Sequence, residues 1–216
     1  VAGQRTIRDE APIDLLALGE HLLSLSEEAM AAKATAATDD ERALMGQAIE
    51  AVMARDRSQS WLMDPCGWID AFVDFSGVTG GKDLAGYQRD ALDELAVAGR
   101  LAVRSVHGAG KTALAALTVL WFAITRDQAG IDWKIPTTAT VYRQLLHYLW
   151  PEIHQWATRL RWTDLGREPF TRMEMQVTRL KLSHGQAWAM ASHDAVAIEG
   201  AHATHLLYVF DEAKGI

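Results

Sequence analysis

The run Ser105-Val106-His107-Gly108-Ala109-Gly110-Lys111-Thr112 has residue types suited to holding a phosphate chain. Small residues let successive backbone N–H groups turn inward toward anionic oxygens. A helix opening at Lys111 would add the partial positive charge of its N-terminus. Lys111 could then reach the β- and γ-phosphates, and the Thr112 hydroxyl could ligate Mg2+. The general pattern is Gly, four residues, then Gly-Lys-Ser/Thr, and here Ser105 stands at the first glycine. By itself the run would also suit a plain strand–turn–helix connection with a capping glycine and a surface lysine.

A second set of groups lies one hundred residues beyond Lys111, where the apolar run "LLYVF" (206–210) ends in Asp211 and Glu212. A continuous apolar run of this kind suits a strand buried on both faces of a parallel sheet. Open α/β sheets place their ligands at the C-terminal ends of such strands. Asp211 is suited to hold Mg2+ through its water shell, and Glu212 to polarise an attacking water as a general base. Gln88 precedes the loop at the start of a helix, and its amide can donate and accept at once, matching N6 and N7 of adenine. The three features together read as an ATPase using ATP and Mg2+, with Lys111 and Glu212 catalytic.

The elements that must position these groups follow from periodicity and punctuation. Residues 12–57 read as an antiparallel helical pair: Leu15, Leu18, Leu22 and Leu25 recur at helical spacing after Pro12. The second helix opens at a Thr38…Glu41 capping box, with "KATAATDD" as linker. After an aromatic-rich stretch (61–75) and the Gly-rich loop "SGVTGGKD", a helix spans Tyr87–Ala98 and is capped by Gly99. Then come a short strand "LAVRS" (101–105), the loop, a helix from 111 to about 125, and a strand over 131–138. A helix over 140–158 is expected to kink near Pro151. "MQVTRLKL" and "AWAMAS" alternate like paired strands around Ser183-His184-Gly185. Strands alternating with helices predict an α/β domain over 61–216, preceded by a helical segment over 1–60.

Composition narrows the partners. A net charge of −7 argues against a protein that coats nucleic acid, and leaves room for a local basic surface. A single cysteine, Cys66, precludes an internal disulfide framework and suits a reducing cytosol. The longest apolar run, Thr112–Thr125, falls short of the roughly 18 residues a membrane span needs, and no signal-peptide pattern opens the chain. Val1 in place of Met suits a fragment or an alternative start. His202 and His205 could share a helical face, but no Cys or third His stands at ligand spacing, so loop or core roles are expected. Trp121, Trp150 and Trp156 fall on apolar faces and are expected in the core rather than stacked on bases.

From about residue 60 onward the chain resembles the large terminase subunit, the DNA-packaging motor of tailed bacteriophages. The resemblance rests on "DPCGWIDAFV", "LAGYQRDALDEL", "RSVHGAGKTALAAL", "TTATVYRQLLHYLWPEI" and "AIEGAHATHLLYVFDEAKGI". It implies a P-loop NTPase of the additional-strand, catalytic-glutamate class, with a mainly parallel sheet flanked by helices. Ser105 to Thr112 would form a deviant Walker A loop, and Asp211 and Glu212 a Walker B box. It further implies double-stranded viral DNA, a portal protein and a small terminase subunit as partners. A homo-oligomeric ring and the cytoplasm of a bacterial host, with a virus or prophage as the source of the gene, are implied as well, and no membrane. Many relatives carry an arginine inside the loop; here Val106 and His107 stand there and Arg104 just before. The chain ends at Ile216, so the family's coupling motif and C-terminal nuclease domain are expected to be absent. Two other readings share these features: a helicase-like nucleic-acid-dependent ATPase, and a truncated prophage remnant that binds nucleotide without turnover.

Overall fold

The computed structural model describes residues 13–78, 83–106, 108–191 and 202–211. The chain divides into two compact units, Val1–Asp56 and Arg57–Ile216.

The first unit holds α1 (Leu15–Leu23), α2 (Glu27–Ala36) and most of α3 (Asp39–Ser60). Each start is built from a local acceptor. The Asp14 carboxylate accepts the Leu16 and Ala17 N–H groups, and the Ser26 hydroxyl accepts that of Ala29. At α3 the expected capping box closes in both directions, Thr38 N–H to Glu41 at 2.8 Å and Glu41 N–H to the Thr38 hydroxyl at 3.3 Å. The expected pair is thus three helices. Its presumed linker begins inside α2, because Lys33-Ala34-Thr35-Ala36 is rich in strong helix formers. Leu22, Met45 and Ala48 form the buried core, flanked by Leu15, Leu18 and Leu25.

The second unit begins with α4 (Pro65–Phe72), capped by Asp64 with Pro65 in its first turn, and α5 (Gly86–Ala98). Gly99 ends α5 in the left-handed region, φ +67°, as its position predicts. There follow α6 (Lys111–Gln128), β1 (Trp133–Ala139), α7 (Tyr142–Gln144), a π-helical segment (Leu145–Leu149) and α8 (Trp150–Ala157). The remaining elements are β2 (Met175–Gln176), β3 (Arg179–Lys181), β4 (Gly185–Ala191), β5 (His205–Leu206) and β6 (Val209–Asp211). Pro151 is accommodated by the π segment rather than by a break. The Trp150 N–H reaches five residues back to the Leu145 carbonyl, just before the residue that has no N–H to give.

The sheet runs β2-β3-β4-β1-β5, with β6 also paired to β1. β1 is parallel to β4 from Trp133↔Gly185 to Ala139↔Ala191, and parallel to β5 and β6. β3 is antiparallel to β2 and to β4, which forms the expected hairpin. The class is therefore α/β, with a mixed rather than mainly parallel sheet flanked by helices.

Two expected strands differ. "LAVRS" carries no ladder among the described residues. β4 takes one side of β1, and β5 and β6 take the other, so no position beside β1 is open to it. "LLYVF" splits at Leu207-Tyr208 into β5 and β6, and Phe210 is 47% exposed, so it is not a doubly buried strand. The centre of the unit is α6, buried nearly all round between the sheet, α4 and α8. Trp121, Trp150 and Trp156 are buried as expected. Each satisfies its indole N–H, through the Trp61 carbonyl, the Thr137 hydroxyl and the Glu152 carboxylate respectively.

Candidate phosphate-binding site

α6 directs the loop toward the C-terminal end of the parallel strands. Its 18 residues span about 27 Å, close to the ~23 Å of a seven-residue strand. A tight turn at Gly130, φ +71°, joins its C-terminus to the start of β1, with Ile131 N–H on the Arg126 carbonyl at 2.9 Å. Running antiparallel to β1, α6 returns Gly110-Lys111-Thr112 toward the C-terminal ends of β1 and β6. Asp211 is the last residue of β6, in register with Ala139 and half-buried. The connection through Gly130 and the packing of α6 on β1 and β6 direct Lys111 and Thr112 toward the sheet end where β6 closes with Asp211. Glu212 and His107 lie outside the described residues.

The loop turns on two glycines in the left-handed region, Gly108 at φ +78° and Gly110 at φ +85°. Gly110 is the N-cap of α6 and offers no side chain to the first-turn N–H groups. The N–H groups of Gly110, Lys111, Thr112 and Ala113 precede the first intrahelical bond, Leu114 N–H to the Gly110 carbonyl at 3.0 Å. The Lys111 ammonium folds back over the loop. It donates to the Ser105 carbonyl and hydroxyl, both at 3.2 Å, and to the Val106 carbonyl at 3.0 Å. Ser105, which departs from the usual glycine, thus supplies an acceptor that glycine lacks. Val106 is strongly exposed, and Gly108 and Ala109 complete the turn.

The start of α5 grips the other side of the loop. The Tyr87 hydroxyl donates to the Ala109 carbonyl, and Gln88 Nε2 donates to the Gly110 carbonyl at 3.3 Å. Gln88 Oε1 meanwhile accepts the Ala85 N–H at 3.0 Å. Gln88 therefore has both ends of its amide engaged within the chain, where an adenine contact was expected. Tyr87 was not singled out by residue type; its adjacency to Gln88 was the available signal.

The other polar candidates lie elsewhere. His202 precedes β5 and His205 lies within it, so they share no helical face, and the His202 carbonyl accepts Lys134 Nζ at 2.6 Å. Burial, then Arg126, holds His205 below the usual imidazole range. Among the described residues no group of three or more His, Cys, Asp or Glu could hold a metal ion. A cleft of about 580 Å3 beside α4, lined by Asp70, Asp74, Asp83 and Arg161, is lined by none of the loop residues. No helix among the described residues is long and apolar enough to cross a membrane. Comparison of the chain with protein-family models, with curated proteins and with solved structures gives no match.

Proposed function

We propose that the chain binds Mg·ATP on loop 105–112 and hydrolyses it as the motor domain of a terminase-like machine that packages double-stranded DNA. The observation that supports the reading is the first turn of α6, which has no side-chain cap and carries the Lys111 ammonium back over the glycine loop, in a chain whose β6 ends in Asp211. These groups fit the ligand. The first-turn amides of α6 and Lys111 suit a polyphosphate, while Thr112 and Asp211 suit a Mg2+ that takes its remaining ligands from phosphate and water. When bound, Mg2+ would neutralise phosphate charge. The loop amides would fix the phosphate chain, and Lys111 would stand over it from the Ser105 side. Glu212, one residue beyond Asp211, is the carboxylate assigned to polarise water.

On this reading the second unit is a P-loop NTPase of the catalytic-glutamate class. The DNA partner is supported by the uneven charge: residues 140–191 hold seven Lys and Arg against four Asp and Glu, within a chain of net −7. The ring assembly, the portal and small-subunit partners and the bacterial cytoplasm belong to the same proposal and rest on the resemblance.

The test is titration of a fluorescent ATP analogue against the parent chain and Lys111→Ala. Removing the only loop cation should abolish measurable binding, because the amides alone do not neutralise a triphosphate. Unchanged affinity would overturn the assignment of this loop.

A further inference from the structure

We infer that Tyr87 and Gln88 are positioning residues of the phosphate loop, holding the Ala109 and Gly110 carbonyls outward so that the Gly110 and Lys111 N–H groups face a bound anion. The inference rests on the nucleotide-binding reading and gives Gln88 a role in place of adenine recognition.

In a trans peptide the carbonyl and the following N–H point in opposite directions. No peptide bond among the described residues is cis. Fixing the Ala109 carbonyl against the Tyr87 hydroxyl therefore points the Gly110 N–H the other way, away from α5. Fixing the Gly110 carbonyl against Gln88 Nε2 does the same for the Lys111 N–H. Glycine tolerates both signs of φ, so the Ala109–Gly110 peptide, between the two turning glycines, could rotate at little cost without the Tyr87 hydroxyl. The Gly110 carbonyl is also held by the Leu114 N–H at 3.0 Å, and Gln88 adds a second donor to it from the α5 side. Gln88 cannot exchange its two ends freely, because Oε1 closes the capping box on the Ala85 N–H and leaves Nε2 toward the loop. The grip is also close. A Cβ at Gly110 would stand 3.2 Å from Gln88 Nε2 and 3.4 Å from the Tyr87 hydroxyl oxygen, a close approach of both side-chain ends to a residue whose φ of +85° favours glycine.

The experiment titrates the intact chain, Tyr87→Phe and Gln88→Met with inorganic pyrophosphate, ADP and GDP, and follows the Gly110 and Lys111 amide resonances. Pyrophosphate has no base, so it reports on the amide nest alone. Both variants should bind pyrophosphate, ADP and GDP about fivefold more weakly, as expected for loss of one hydrogen bond. The ADP to GDP ratio should stay unchanged. The shift of the Gly110 and Lys111 amides on adding pyrophosphate should shrink in Tyr87→Phe, which keeps the ring and its packing. Undiminished pyrophosphate binding by both variants would overturn the inference while leaving the nucleotide reading intact. So would a loss confined to ADP in Gln88→Met, which would return Gln88 to the base. A parent chain that binds neither nucleotide nor pyrophosphate would overturn both.

Discussion

Arg126 carries a charge into the core near the end of α6, 4% exposed, with no ion pair among the described residues. Its guanidinium lies 4.3 Å from the Trp121 ring centroid and 4.0 Å from that of Phe122. Two of its nitrogens donate, to the Leu62 carbonyl at 2.8 Å and to the Thr125 hydroxyl at 2.9 Å. Burial lowers its pKa to about 10, so it keeps its proton at neutral pH. What offsets the desolvation is a weakly hydrated, planar cation sharing two ring faces at the negative end of a helix dipole. A lysine has neither the plane nor the fork, and holds its water more tightly. Arg126→Lys should therefore cost about 2 kcal/mol in urea denaturation, the scale of a desolvated cation–π contact. A midpoint equal to that of the parent would show that any cation suffices there.

The elements that frame the site are registered at Gly185, where β4 meets β1. A Cβ at this position would fall 2.1 Å from the Trp133 carbonyl oxygen and 2.5 Å from its ring. Trp133 is fully buried and cannot withdraw, since its indole N–H donates to Asp127 at 3.2 Å. The same carboxylate oxygen accepts the His184 N–H at 2.7 Å, so the end of α6 ties both strands at their first residues. Gly185→Ala must shift a strand or expel the tryptophan, and should destabilise the second unit by about 3 kcal/mol, an overpacking cost at the upper end of the usual range. Tryptophan fluorescence during chemical denaturation reads this directly. A parent-like midpoint would mean that the β1–β4 register slides without penalty.

At the scale of the whole molecule, the two units have cores of very different size. The first buries only Leu22, Met45 and Ala48 in its cluster, whereas the second gathers most of the buried apolar residues around α6 and β1. A small core leaves little to set against chain entropy. The first unit should open at lower denaturant than the second. The sequence provides a natural reporter, because all eight tryptophans fall between Trp61 and Trp188. Far-ultraviolet circular dichroism should lose part of its helical signal before tryptophan fluorescence changes. Superimposable transitions would instead show one cooperative unit.

The sequence by itself determined what depends on neighbours a few residues away. The Thr38–Glu41 box and the left-handed Gly99 each close within a turn of the chain, so residue type and spacing suffice. The turn into α6 was legible for the same reason: the glycines that make it and the helix start at Lys111 are contiguous. The antiparallel hairpin at β3–β4 was also local, turning at Ser183-His184. Tertiary structure decided what depends on a remote partner. "LAVRS" has the composition of a strand, but a strand exists only where another offers its backbone, and no described strand pairs with it. The two faces of "LLYVF" were set by what covers them, which an apolar run does not encode. Gln88 is the sharpest case. An amide that can match adenine can equally hold a carbonyl, and the bond from Gln88 to Gly110, 22 residues along the chain, became visible only with the approach of α5.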